Sequence, residues 1–338
     1  MATAAAAVSL ALIAAPGVAH ATEVATPTTS RPTAAQLRTE LSAVAKASAA
    51  AEKAGWTART SLHLGPLHLS QTAVRDLRHD RAAMGVKLGD FSLTAIGVAH
   101  RGVWSNLYRD AETRRALRLA GRPEARWVFA ADPTLTFDDD AGDVGERGSQ
   151  LVTDLRDALD PSTVLERVAP DGSRTYRAAL VVDRDEPPAT ARLEVSSKGV
   201  LTRVLVRQAD TRSDTHFGYG PQHVAVPAKQ VTIRAERLER ALEAVQLGDV
   251  VTHEAREAAR ELEATRRSSS HGLRTRQVRA VVRKVVRRTA REGDLTIPVQ
   301  LTDAPYGSLI TATNPFTHHQ VAYRVQLVKM HAVARPGR

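Results

Sequence analysis

The sequence predicts an α+β fold, an antiparallel sheet of many short strands partly covered by helices, followed by a helical and β extension at the C-terminal end. Three observations carry this. Apolar residues alternate with period two over most of residues 56–107 and 174–219. Alanine-rich or leucine-striped segments of helical period interrupt those strands in a few places. Basic residues concentrate in a late stretch: ten Lys or Arg lie between Arg266 and Arg291 with no acid among them, while the rest of the chain has as many bases as its 37 acids. Period two marks half-buried strands, and period 3.6 marks helices with one buried stripe.

Residues 1–21 read as a secretory signal. Ala4 to Ala15 form the apolar run, and Val18-Ala19-His20-Ala21 places small residues where a signal peptidase cuts. The run is too short to span a bilayer. Residues 22–32, rich in Thr and Pro, read as a linker. Thr33 caps a helix that runs to Ala54, with Leu37, Leu41 and Val44 on one stripe and Gly55 ending it.

From Trp56 the period is two. Trp56, Ala58, Thr60, Leu62 and Leu64 alternate with polar residues up to the Gly65-Pro66 turn. Leu67, Leu69 and Ala73 continue the pattern, then Ala82, Met84, Val86 and Leu88, then Phe91, Leu93 and Ala95, and finally Val103, Ser105 and Leu107 alternating with Trp104. Short strands at roughly ten-residue spacing are the pattern of a meandering sheet or open barrel. Asp110 caps a short helix that Gly121 stops. Trp127 to Ala130 reads as a strand, 132–148 as a loop and Ser149 to Leu159 as a helix. Tyr176, Ala178 and Leu180 lead a strand.

A meander closes this region. Leu193 and Val195 precede the turn Ser196-Ser197-Lys198-Gly199, a second strand includes Val204 and Val206, and a third holds Thr215, Phe217 and Tyr219. Pro221 and Pro227 end the ladder because proline has no N–H to give it. Its residues Leu201, Arg203, Phe217, Tyr219, Gly220, Val224, Val226 and Pro227 resemble the closing strands of the actinobacterial LppX/LprG group, LolA-like lipid carriers of the cell envelope. The resemblance covers residues 33–231 and has no catalytic signature. It implies an open antiparallel half-barrel covered by helices, and a passive, non-catalytic function: acyl chains withdrawn from water into an apolar cavity of a secreted or periplasmic protein. The expected lining residues are Trp56, Leu62, Met84, Phe91, Leu93, Trp104, Leu107, Tyr176, Val204, Phe217 and Tyr219. The sequence has no Cys, so it departs from that group in lacking a lipobox cysteine, and it has neither disulfides nor thiol chemistry.

Residues 232–338 form an extension with no family attached. Ala235 to Arg267 reads as a helix bent or broken at Gly248, and residues 268–272 as a hinge. Arg274 to Arg291 places Val278, Val281, Val282, Val285 and Val286 on one helical face and Arg279, Arg283, Lys284, Arg287 and Arg288 on the other, although its β-branched residues also suit a strand. Three readings of this stretch stand: a solvated face packed on its valines, a helix that seats its valines in a membrane interface with its arginines on anionic headgroups, and phosphate contact to nucleic acid. In an exported protein, lipid or an anionic envelope surface is the expected partner and nucleic acid is not. Strands follow at 296–301, 308–313 and 321–333.

Chemistry-bearing groups are few. Asp138-Asp139-Asp140 with Asp143 lacks the alternation of a calcium loop, His318-His319 point to opposite faces of a strand, and Ser268-Ser269-Ser270-His271 lacks a nucleophile elbow. No phosphate-cradling glycine loop occurs. No enzyme, metal or cofactor is expected. The alternative to a carrier is a structural or interaction protein of the envelope, its sheet filled by its own side chains and its basic C-terminal region binding an anionic surface or a partner.

Overall fold

The computed structural model describes residues 27–137, 146–181, 187–269, 272–292, 296–328 and 331–337. The leader 1–21, Asp138–Asp140 with Asp143, and Ser270 with His271 lie outside the described residues.

Among the described residues, thirteen strands form one open sheet and four form another. In chain order the first sheet holds β1 (Thr28–Ser30), β2 (Trp56–Leu64), β3 (Leu67–Asp76), β4 (Arg81–Leu88), β5 (Phe91–Val98), β6 (Gly102–Asn106), β7 (Trp127–Ala131), β8 (Leu165–Val168), β9 (Arg174–Leu180), β10 (Ala189–Val195), β11 (Leu201–Gln208), β12 (Thr211–Tyr219) and β13 (Thr232–Arg234). Their spatial order is β1-β8-β9-β10-β11-β12-β2-β3-β4-β5-β6-β7-β13. Every pairing is antiparallel except β13 with β7. The helices are α1 (Ala34–Glu52), α2 (Ala111–Leu119), α3 (Gly148–Ala158), α4 (Ala235–Arg267) and α5 (Thr275–Glu292). The second sheet is a meander of β14 (Val299–Ala304), β15 (Gly307–Thr313), β16 (Gln320–Val328) and β17 (His331–Pro336). The α+β architecture, a largely antiparallel sheet not closed into a barrel with covering helices and a C-terminal helical and β extension, is the predicted one.

Several local differences have physical reasons. Residues 28–30, expected as linker, pair with β8 as an edge strand, and Ser30 donates to Glu166. The polar sequence of β8 hides its strand character. Within the closing meander a β-bulge at Glu194/Val195 sets Val195 opposite Leu201 and Leu193 opposite Val204. Leu201 and Val204 therefore both face inward, which simple alternation forbids. Gly248 does not break α4. The buried stripe Leu247, Val251, Ala255, Ala258 and Leu262 continues past it, and that burial outweighs the roughly 1 kcal/mol helix cost of a glycine. Residues 275–292 are helix rather than strand, because the valines at i, i+4, i+7 and i+8 find an apolar partner surface.

Helices α1 and α3 lie together on one face of the large sheet, here called inner. Thr33 and Gln36 form a reciprocal capping box that starts α1. The buried Glu52 at its other end accepts from the backbone N–H and the hydroxyl of Ser149, 2.9 and 2.6 Å, and so caps the first turn of α3 from a different element. Ser48 of α1 accepts from Leu201 N–H at 3.0 Å and ties the helix to β11. Leu37, Leu41 and Val44 of α1 and Val152 and Leu155 of α3 pack on Trp56, Ala58, Tyr176, Leu193, Leu201, Val204 and Phe217.

The C-terminal extension is attached to this sheet. β13 is its last strand, and α4 runs from it against α2, burying Ala116, Leu117, Ile233, Leu238 and Ala241. Farther along, α4 joins α5 and one face of the small sheet around Val251, Leu262, Val282, Val285, Ile310 and Val325.

Candidate functional site

The registers of β2–β5 are unbroken, so side-chain direction follows from position alone. Residues sharing the inner face are Trp56, Ala58, Thr60, Leu62 and Leu64 on β2, Leu67, Leu69, Gln71 and Ala73 on β3, Ala82, Met84, Val86 and Leu88 on β4, and Phe91, Leu93 and Ala95 on β5. At the end nearest the helices Trp56, Ala58, Ala73 and Ala82 are buried beneath α1 and α3. At the other end the face is uncovered. Leu64 is 46% exposed, Leu67 57%, Leu88 42%, Phe91 53% and Leu93 42%. Cross-strand pairs Leu64–Leu67, Leu62–Leu69, Leu69–Leu88, Leu88–Phe91 and Val86–Leu93 join them into one strip.

The outer face of the same strand ends is polar: Ser61, His63, His68, Ser70, Lys87 and Ser92 occupy it. His63 and His68 stack at 4.5 Å, and Ser61 hydrogen-bonds His68 at 3.0 Å. A depression of about 560 Å³ at the hairpin tips runs past Leu67 and Leu88 to Ser70 and Lys87. The strip is thus an apolar surface with a polar rim, continuous with the core and left open where the helices end.

The residues expected to line a cavity divide into three groups. Leu62, Met84, Phe91 and Leu93 lie on the uncovered strip. Trp56, Tyr176, Val204 and Phe217 lie on the inner face beneath α1 and α3, where the space is filled by protein, and Tyr219 packs at the margin of the same cluster. Tyr176 is fully buried and donates its hydroxyl to Glu40 at 3.0 Å. Trp104 and Leu107 are elsewhere. Trp104 is on the outer face, its ring 4.3 Å from that of Phe129, and Leu107 packs in the α2–α4 cluster. Alternation gives two faces but does not say which one a helix covers, and Trp104 stands on the face opposite α1 and α3. Leu64, Leu67, Leu69, Val86 and Leu88 complete the strip and are absent from the expected lining. Their signal is present in the two short turns, Gly65-Pro66 and Gly89-Asp90, which force leucines on successive strands into register.

The basic stretch is corrected in part. Val278, Val282, Val285 and Val286 are buried against α4 and the small sheet, so they are not available to a membrane interface. Arg279 is a structural anchor that pairs with Asp303 at 3.0 Å and donates to the carbonyls of Ala304 and Gly307. Arg283, Lys284, Arg287 and Arg288 are exposed.

One group of potential metal ligands has no sequence signal: Asp76, His79 and His223, whose ligand atoms lie within 4.8 Å of one another. The buried Asp76 carboxylate accepts from His79 Nδ1 at 2.9 Å and from Val224 N–H at 3.2 Å. Burial works against its charge, but these hydrogen bonds prevail and hold its carboxyl below the usual range. Its chemistry suits a divalent cation, and equally a staple between the β3–β4 turn and the segment after β12. His318 and His319 sit exposed in the turn between β15 and β16.

No protein-family model and no curated protein matches this sequence. Among solved structures the chain is similar to LprF from Mycobacterium bovis, at 9% identity and a TM-score of 0.31 over 57% of this chain and 97% of LprF. It is also similar to the Mycobacterium tuberculosis lipoprotein LppX, at 11% identity and a TM-score of 0.31 over 56% of this chain and 98% of LppX. An uncharacterized conserved protein from Thermus thermophilus is similar at 10% identity and a TM-score of 0.27 over 58% of this chain and 98% of that one.

Proposed function

We propose that this protein is a non-catalytic lipid-binding or lipid-carrying protein of the cell envelope, secreted or periplasmic, that holds acyl chains against the uncovered inner face of β2–β5. The observation that carries this reading is the strip Leu62, Leu64, Leu67, Leu69, Met84, Val86, Leu88, Phe91 and Leu93, with five of its large side chains substantially exposed. A contiguous apolar patch with a polar rim is uncommon on a protein without a partner for it. Chain burial contributes about 0.8 kcal/mol per CH₂, so about ten methylenes laid on the strip give roughly 8 kcal/mol before ordering costs, with no specific polar contact required. Because the region beneath α1 and α3 is filled, the lipid in this reading lies along the open strip rather than under the helices.

The test is purification of the chain without detergent from an actinobacterial host, followed by organic extraction and mass spectrometry. Near-stoichiometric acyl lipid is expected, together with at least tenfold weaker uptake of a fluorescent fatty acid when Leu67→Asp and Leu93→Asp are combined. Both positions are exposed, so this variant keeps its fold, whereas Val204→Asp would place a charge in the core. A lipid-free protein that ignores the fatty acid and sediments as a dimer through the strip would overturn the proposal.

A second reading, an envelope interaction protein, is favoured by one observation: Arg283, Lys284, Arg287 and Arg288 form an exposed cationic face on α5. Near an anionic surface each such charge contributes about 1 kcal/mol. Binding to anionic but not neutral vesicles, lost in high salt, would support it.

A further inference from the structure

On the outer face of the large sheet, away from the strip, the first turns of α4 meet the β6–β7 strands and the turn between β15 and β16. The cleft between them has a volume of about 1080 Å³. Its floor is apolar: Trp104, Phe129, Val226 and Phe316. Its rim holds Arg101, Arg122, Lys229, Arg234, Arg237 and Arg240, against the single carboxylate of Glu236. Among the described residues none of these six cations makes an ion pair with a carboxylate. Arg237 donates to the carbonyl of Ala120 at 2.7 Å, and Arg101 lies 5.9 Å from the Trp104 ring. Arginines elsewhere on the surface include ones held by carboxylates. Arg203 and Arg212 are joined to Asp214, and Arg266 and Arg267 to Glu263.

Converging cations repel one another and weaken the fold unless an anion sits among them. Five of the six are arginines, whose planar fork matches phosphate oxygens in pairs. A free inorganic ion would use the rim and leave the partly exposed Phe129, Val226 and Phe316 in water. An uncharged chain would use the floor and leave the rim uncompensated. We propose that the cleft is a ligand site for a phosphorylated amphiphile, with the phosphate on the arginine rim and the apolar body on Trp104, Phe129 and Phe316. Much of the wall, from Thr232 onward, is supplied by the C-terminal extension, which gives that extension a role in recognition. This site is independent of the strip on the opposite face of the sheet.

The experiment is calorimetric titration of the full chain with three probes: dihexanoyl phosphatidic acid, dihexanoyl phosphatidylcholine and inorganic phosphate. The expected result is a Kd for the phosphatidic acid at least tenfold below that of either other probe. The combined variant Arg234→Ala, Arg240→Ala is expected to weaken it tenfold or more while leaving fatty-acid uptake unchanged. The variant Leu67→Asp, Leu93→Asp is expected to do the reverse, so failure of one site is distinguished from failure of the other. Equal binding of the phosphatidylcholine would show that charge is not read, and equal binding of inorganic phosphate that the floor is not used. Either result overturns the proposal, as does loss of phosphatidic acid binding in the strip variant with the arginine variant unaffected.

Discussion

Two apolar stripes in this protein meet opposite fates. The valines of α5 turn toward α4 and the small sheet and disappear from solvent, while the leucines and Phe91 at the far end of β2–β5 turn toward the side that α1 and α3 cover and stay exposed among the described residues. Both stripes are built mainly of branched aliphatic residues and flanked by charges and hydroxyls. The difference is reach: α4 is a helix of 33 residues, long enough to bridge from α2 to α5 and the second sheet, whereas α1 and α3 have 19 and 11 residues and stop before the strand ends. An apolar stripe therefore becomes a core or a candidate binding surface according to the length of the element opposite it.

The largest expected effect tests the buried stripe. Val282 is fully buried between α5 and α4, and Val282→Asp places an unpaired charge there, at a cost of about 4 kcal/mol or more. Urea unfolding followed by circular dichroism would read this as a large fall in midpoint. A shift below about 1 kcal/mol would mean that the two helices do not pack on their valines in solution.

That contrast also marks what the sequence makes legible. Periodicity places nearly every strand of β2–β7 and β9–β12, and the caps at Thr33 and Asp110 locate two helix starts, because those signals are local. Thr113 N–H donates to Asp110 at 2.7 Å, as an N-cap carboxylate should accept. What is not local is not legible. The bulge at Glu194/Val195 and the pairing of residues 28–30 with β8 each depend on residues far away in the chain, as does the choice among the three readings of the α5 valines. Of the strip, Leu62, Met84, Phe91 and Leu93 are recognisable by alternation, but the choice of face and the exclusion of Trp104 require knowing where α1 lies. The cationic cleft escapes entirely, since Arg101, Arg122 and Arg240 are brought together only by β13 pairing with β7 and α4 packing on α2.

An intermediate effect separates the two regions by pH. Glu254 is buried in the α4–α5 stripe, accepts from Thr289 at 3.5 Å through Oε1, and among the described residues has no partner at Oε2. Loss of hydration pushes its pKa up to about 7, against the smaller opposing pull of Thr289. A carboxyl raised above its unfolded value of roughly 4.3 stabilises the fold fully below that value, and the contribution is lost as pH rises through about 7. In the large sheet the sign is opposite. Hydrogen bonds from Arg203, reinforced by Arg212, hold the Asp214 carboxyl well below its ordinary range, so that its contribution is present above about pH 4 and lost on acidification. Glu254→Gln is expected to gain on the order of 2 kcal/mol over the parent at pH 8 and nearly nothing at pH 4. A gain that does not change with pH would show that Glu254 does not titrate in the fold.

The smallest expected effect is the most informative about the open strip. Leu93 is 42% exposed at the uncovered end of β5 and already faces water in the free protein. Leu93→Asp should change stability by less than about 0.5 kcal/mol, because surface substitutions away from caps, cores and networks rarely do more. With saturating lipid present, the parent should gain stability from binding, by about 2.7 kcal/mol at a hundredfold excess over Kd, and the variant should gain far less. Melting curves with and without the lipid read both quantities from the same samples. A large loss in the lipid-free variant would mean that the strip is already covered in solution, by a second copy or by a segment of this chain, and the distinction between the two stripes would dissolve. A small loss together with an abolished lipid gain would leave the strip as a surface whose partner is the ligand.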